Sequence, residues 1–262
     1  MEPPRVYVCG RLAVECGATV VREADFPARQ GRRLWAYMVV NRRWPVGRDA
    51  LAEALWGDDL SDAWDVALNS LISRLRGVLH RLDLSGESVG IRGEVGRYVL
   101  TLPGETFIDL ERARRAGHES DRLMRLGDAG AALAEARVAM EIAGRGFLPG
   151  EDGAWIEGVR RTLTDLRLHA HERTVEAELQ RGNIPIAERE ARDLVALAPL
   201  RESAYRLLIQ ALVATGNAAE ASHVYGDCRR VLWEGMGAVP SPETERFVRR
   251  LVSTDGEERG DG

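Results

Sequence analysis

Short β-branched runs broken by glycine open the chain: Arg5–Cys9, Leu12–Glu15 and Thr19–Val21, separated by Gly10 and Gly17. They predict a small antiparallel sheet. The spacing then changes from two to between three and four. Leu34, Trp35, Met38 and Val39 share one face of a helix over 28–42, with Arg29, Arg32 and Arg33 on the other. Pro45 stops continuation, and Leu51, Ala54 and Leu55 mark a short second helix from Arg48 to Trp56, with Gly47 as a tolerable cap. A third helix over 65–82 carries the stripe Leu68, Leu71, Ile72, Leu75, Val78, Leu79 and Leu82. At 100° per residue its outer face carries Asn69, Ser70, Ser73 and Gly77, with Arg74 and Arg76 on the shoulders. A hairpin follows: strand 88–92, a turn over 93–96, strand 97–102. This order predicts a winged helix-turn-helix, whose third helix is slim and polar enough outside to enter a DNA major groove.

Beyond residue 103 helical patterns dominate as far as Leu251. Gly127, Gly182 and Gly216 are each followed at +5, +9 and +12 by packing residues: Ala132, Ala136 and Ala139; Ala187, Ala191 and Leu194; Ala221, Tyr225 and Cys228. Gly182 and Gly216 lie 34 residues apart, the tetratricopeptide period, while a longer helix over 152–181 separates the first two units. The expected class is therefore mixed but mainly α. A winged helix in 1–104 precedes a tetratricopeptide-like helical domain in 105–252 and a polar, disordered tail in 253–262. A fragment of residues 1–104 is expected to fold around its own core.

Composition narrows the chemistry. All 36 Lys+Arg residues are arginine. A Walker A loop and a Schiff-base enzyme both need a lysine, so P-loop NTPases, kinases and pyridoxal enzymes are disfavoured. The net charge of −5 is unevenly spread: 14 arginines face 13 carboxylates in 1–104, but 22 face 28 in 105–262. The first part has room for a basic face and no basic excess. Three cysteines without a CxxC pair point to a reducing cytoplasm and away from structural zinc. The N-terminus has no leader pattern, and the apolar runs are too short to span a bilayer.

Other motifs read as structural. His169 and His171 lie about 200° apart on a helix, which suits a solvated face better than a shared metal ion. The segment Gly144–Gly150 has glycines but no phosphate-cradle spacing, and reads as a connector. The six tryptophans read as core anchors and helix seams. No catalytic set and no cofactor site stands out.

Several stretches together resemble the antibiotic regulatory activators of actinobacteria, the SARP family. They are Arg29-Gln-Gly-Arg-Arg33, Leu34-Trp-Ala-Tyr-Met-Val-Val40, Arg43-Trp-Pro-Val-Gly-Arg-Asp49, Leu51-Ala-Glu-Ala-Leu-Trp-Gly57, Ile72-Ser-Arg-Leu-Arg76 and Gly96-Arg-Tyr-Val-Leu100. Phe107-Ile-Asp-Leu-Glu111, Pro199-Leu-Arg-Glu202 and Gly237-Ala-Val-Pro-Ser-Pro-Glu243 continue the match in order. The resemblance implies an OmpR-type winged helix joined to a bacterial transcriptional activation domain. It further implies binding to direct repeats in promoter DNA, recruitment of RNA polymerase with its sigma factor, and a homodimer on DNA. By position, Asp65–Leu82 becomes the recognition helix, Arg92–Arg97 the wing, and Gly57–Trp64 the loop that touches polymerase.

The DNA-contact candidates are accordingly Asn69, Ser70, Ser73, Arg74, Arg76 and Arg97, and the polymerase-contact candidates Asp58, Asp59 and Asp62. The acidic approach to the third helix departs from the family, whose members carry polar or basic residues there. Asp65 suits a helix N-terminus as a cap but repels phosphate at the same place. The alternative reading is a helical-repeat adaptor whose winged helix binds protein instead of DNA.

Overall fold

The computed structural model describes residues 3–82 and 89–257. The chain forms two compact units, and each is made from more than one stretch. The first comprises residues 1–113 and 142–164, the second 114–141 and 165–262.

In the first unit the opening sheet holds β1 (Arg5–Tyr7), β2 (Ala13–Cys16) and β3 (Thr19–Arg22), antiparallel as the pattern predicts. A fourth strand, β7 (Phe107–Ile108), runs parallel to β1, giving the order β3-β2-β1-β7. Helices α1 (Ala28–Val40), α2 (Arg48–Trp56) and α3 (Trp64–His80) pack around Leu34, Trp35, Leu51, Leu55, Leu68, Ile72 and Leu75, all nearly inaccessible. The wing strands β5 (Gly90–Glu94) and β6 (Arg97–Thr101) form the expected hairpin, whose turn contains Gly96 at φ +68°. The expected first residue of that hairpin, Ser88, lies outside the described residues. Pro45, read from the pattern only as a stop, is followed by β4 (Val46–Gly47), which completes a second sheet of order β4-β6-β5.

Residues 105–113 and 142–164 contribute more to this unit than periodicity suggests. Asp109, at the start of α4 (Asp109–Arg125), is buried and accepts the backbone N–H groups of Val8, Cys9 and Leu110 at 2.7–3.1 Å. Burial pushes its pKa up against the lowering effect of those donors. Glu111 takes a bidentate hydrogen bond from Arg42 at 2.6 and 2.7 Å. The glycine-rich stretch connects two helices, as predicted, and is in addition a packed edge. Phe147 bridges to Cys9, and Gly146 accepts the N–H of Gly10 at 2.8 Å. Gly10 has φ +76°, and a Cβ there would meet the Arg145 side chain at 2.9 Å, so both backbone angle and proximity require glycine. Buried Glu151 then draws in Arg29 at 2.7 Å and Arg32 at 3.1 Å. Trp155, in the first turn of α6 (Ala154–Gln180), donates to Ala54 O at 2.9 Å and packs edge-on against Tyr37.

The second unit contains the remainder of α4 and α6, most of α5 (Ala129–Gly144), and α7 (Ile184–Leu197), α8 (Glu202–Ala214), α9 (Ala218–Met236) and α10 (Pro242–Glu257). The repeated small residues are its seams. Ala132, Ala136, Ala139, Ala187, Ala191, Leu194, Ala221 and Cys228 are buried, with Tyr205, Leu208 and Leu212 between the later pairs, while Tyr225 is half-buried. The last helix runs to Glu257, several residues beyond the predicted end, and the remainder of the expected tail lies outside the described residues.

Two expectations need correction. Trp44 and Trp233 are 73% and 64% exposed, so not every tryptophan anchors a core. The histidine pair is not a solvated face either. His169 Nε2 lies 2.8 Å from Asp121, and buried His171 lies 3.1 Å from Glu190, each ring engaged by a different neighbouring helix.

Beside them Glu172 binds Arg201 at 2.7 and 3.1 Å and also Ser203. Burial opposes the charge on Glu172, but His169, Arg201 and Ser203 overcome it and hold its pKa at about 2. Because that value lies below the unfolded 4.5, the stabilisation is complete above pH 4.5 and is lost as pH falls towards 2. The side chain is 7% exposed, so solvent screens these contacts little. Glu172→Gln is expected to remove this acid-dependent portion, read from urea unfolding of the helical unit across that pH range. An unchanged acid slope would show that Glu172 does not carry it.

Candidate nucleic-acid interface

The helix-turn-helix is built by α2 and α3, joined by an acidic connector with a single 3-10 turn at Gly57–Asp59. Gly47 is the N-cap of α2, as expected. The α3 stripe Leu68, Leu71, Ile72, Leu75 and Leu79 is buried, which turns Asn69, Ser70, Ser73, Arg74 and Gly77 outwards. Ser70, Ser73 and Arg74 have no protein partner among the described residues. Arg97 and Arg92 are exposed on the wing, and Val95 at its tip is fully exposed.

Arg76 is placed differently from its neighbours. Its Nε donates to Ile91 O at 2.8 Å, so it pins the wing strand β5 to α3 instead of presenting its whole guanidinium outwards.

The start of α3 departs from the sequence reading in a way that matters for charge. Its N-cap is Ala63, which offers no side-chain cap, and Asp65 does not cap the helix. Asp65 instead pairs with Arg48, the first residue of α2. That hydrogen bond is the main reason the Arg48 pKa is raised. The carboxylate expected to repel phosphate therefore has its own counter-ion. Arg48 also reaches Asn69 at 3.0 Å and the hydroxyl of Tyr98 at 2.7 Å, and its guanidinium lies 6.0 Å from the Trp64 ring. One arginine thus joins α2, α3 and the wing. Arg48 and Tyr98 were missed by sequence reasoning, because a contact spanning 50 residues leaves no periodic signal.

Asp58, Asp59 and Asp62 are exposed in the connector with no cationic partner among the described residues. Leu60 and Val66, also exposed, stand beside them in sequence.

A sheet-led winged helix-turn-helix followed by tetratricopeptide-like helix pairs is the architecture these elements define. Residues 108–252 match the model of the bacterial transcriptional activator domain, and the chain belongs to that family, among regulators of the SARP type. It is 30% identical over 226 residues to the regulatory protein AfsR of Streptomyces coelicolor, covering 86% of this chain and 22% of AfsR. It is 28% identical over 226 residues to the transcriptional regulatory protein EmbR of Mycobacterium tuberculosis, covering 84% of this chain and 57% of EmbR. The transcriptional regulator RedD of Streptomyces coelicolor is 26% identical over 235 residues, with 86% and 64% covered. The chain thus spans roughly a fifth to two-thirds of the length of these relatives. A solved structure of Mycobacterium tuberculosis EmbR with a low-affinity phosphopeptide superposes with a TM-score of 0.87, covering 97% of this chain and 66% of that one at 23% identity. That likeness establishes the fold. Among the described residues no helix is long and apolar enough to cross a membrane.

Proposed function

We propose that this regulator is a DNA-binding transcriptional activator. It lays the outer face of α3 in the major groove of promoter direct repeats and recruits RNA polymerase, including its sigma factor, to a biosynthetic gene cluster. Two protomers side by side would occupy the repeats, gaining effective concentration from their linkage. The observation that carries the reading is the outer surface of α3 and the wing. Apart from Val66 and Val95 it is slim, small-residue or polar, and it bears cations (Arg74, Arg92 and Arg97) with no protein acceptor among the described residues. Exposed arginines of this kind suit phosphate, whereas Asn69 and Ser73 face outwards from the helix at positions suited to base edges. Arg76 would act mainly by fixing the wing. The connector carboxylates would face a basic surface on polymerase, which accounts for exposed charges of the wrong sign beside a DNA-reading helix.

The test is binding to the DNA upstream of its own gene against nonspecific competitor. Selective binding is expected. Equal binding to both DNAs would favour the adaptor reading, in which the winged helix meets protein. Arg97→Ala and Arg74→Ala should each weaken binding to all sequences and lower the salt slope by about one unit, as expected for one lost phosphate contact. Ser73→Ala should cost about 1–3 kcal/mol at one base position only. Uniform weakening by Ser73→Ala, with the same sequence preference, would place Ser73 on the backbone.

A further inference from the structure

Asn69 is exposed on α3, yet its carboxamide is held in a closed triangle of hydrogen bonds. Arg48 Nη1 donates to Asn69 Oδ1 at 3.0 Å and to the Tyr98 hydroxyl at 2.7 Å, and that hydroxyl donates to Asn69 Oδ1 at 3.2 Å. Arginine can only donate, so the amide atom facing it must be the oxygen, which decides which way the carboxamide points. The protons and lone pairs then balance. The two protons on Nη1 serve two oxygens, the phenolic proton serves Oδ1, and both lone pairs of Oδ1 are filled. Nδ2 keeps two protons and has no partner among the described residues.

This arrangement removes half of the usual chemistry of asparagine at a base edge. A free carboxamide reads adenine in the major groove by accepting from N6 and donating to N7 at once. Asn69 has no acceptor left to offer. Guanine presents two adjacent acceptors there, N7 and O6, and no donor.

We propose that Asn69 is a donor-only reader that selects guanine over adenine. Tyr98 on the wing strand, with Arg48, sets that choice by occupying Oδ1. Tyr98 is thus a positioning residue: it fixes base preference without touching DNA. The inference rests on the groove docking of α3 proposed above.

The experiment uses the full chain as wild type, Asn69→Ala and Tyr98→Phe. Each is equilibrated at one salt concentration with duplexes carrying a randomised central segment, and the bound fraction is sequenced. Wild type is expected to enrich guanine over adenine at one position by roughly tenfold or more, the range of a good two-point base contact. Asn69→Ala should flatten that position alone. Tyr98→Phe keeps the ring and deletes one donor, so adenine should gain several-fold there while the other positions hold, which also reports that the variant is folded. The proposal is overturned by adenine at the Asn69-dependent position in wild type. It is equally overturned if Asn69→Ala changes no position, or if Tyr98→Phe leaves the guanine-to-adenine ratio intact. A wild-type pool with no enrichment anywhere would overturn the groove docking itself, and the base assignment with it.

Discussion

Cutting the chain after Gly104 is expected to abolish cooperative folding of the winged helix instead of releasing it intact. The cut removes β7, the strand beside β1, and the Asp109 carboxylate that satisfies the N–H groups of Val8 and Cys9. It also removes Glu111, Phe147, Glu151 and Trp155, which hold Arg42, Cys9, Arg29, Arg32 and Ala54. Each buried donor left without a partner costs about 1–3 kcal/mol, and a domain has only about 5–15 kcal/mol to lose. In the full chain Asp109→Ala alone should cost about 3–5 kcal/mol, since two N–H groups of the β1 end and one of α4 lose their acceptor together. Thermal and urea unfolding followed by circular dichroism would decide both. A sharp transition in the 1–104 fragment, close to that of the full chain, would show that these contacts are dispensable.

Replacing Asp58, Asp59 and Asp62 together by asparagine is expected to cut activated transcription severalfold while leaving promoter affinity nearly unchanged. All three are exposed and lack a counter-ion among the described residues, so their exchange removes charge without disturbing a protein contact. Asp65 is not in this group, because Arg48 already holds it. If the connector instead lay against DNA, removing three like charges would tighten binding, most visibly at low salt, where screening reaches about 30 Å. Paired promoter-binding and in vitro transcription measurements separate the two cases. Tighter binding with undiminished transcription would refute the polymerase-facing assignment.

The elements most legible in the sequence were those set by local periodicity. The stripe Leu68–Leu79 and the small-residue trios around Ala136, Ala187 and Ala221 needed nothing beyond their own helix to identify a buried face. The outward placement of Asn69, Ser70, Ser73 and Arg74 followed from the same geometry. What escaped depends on pairing between distant residues. β4 and β7 are two residues long, too short for alternation to register, and exist because β6 and β1 offer them hydrogen bonds. Glu151 is an ordinary exposed-looking carboxylate until two arginines more than a hundred residues away converge on it. The same holds for Asp65, whose position at a helix start suggested capping, although Arg48 claims it. Arg76 lies exposed on the outward shoulder, as periodicity predicts, but that position says nothing about the strand carbonyl that its Nε also reaches.

The first unit is assembled from residues 1–113 and 142–164, and the chain leaves and re-enters it inside α4, α5 and α6. This bears on how such regulators can exchange parts. A single crossover between two related genes, wherever it falls between codons 114 and 141, joins the main body of one parent's winged-helix unit to the Phe147, Glu151 and Trp155 contacts of the other. New pairings of reader and helical domain would then arise only where both parents keep those contacts interchangeable, or through a double exchange that moves both stretches at once. Engineered chimeras meet the same constraint. A hybrid with a transplanted winged-helix unit should carry the donor's 142–164 segment along with its first 113 residues.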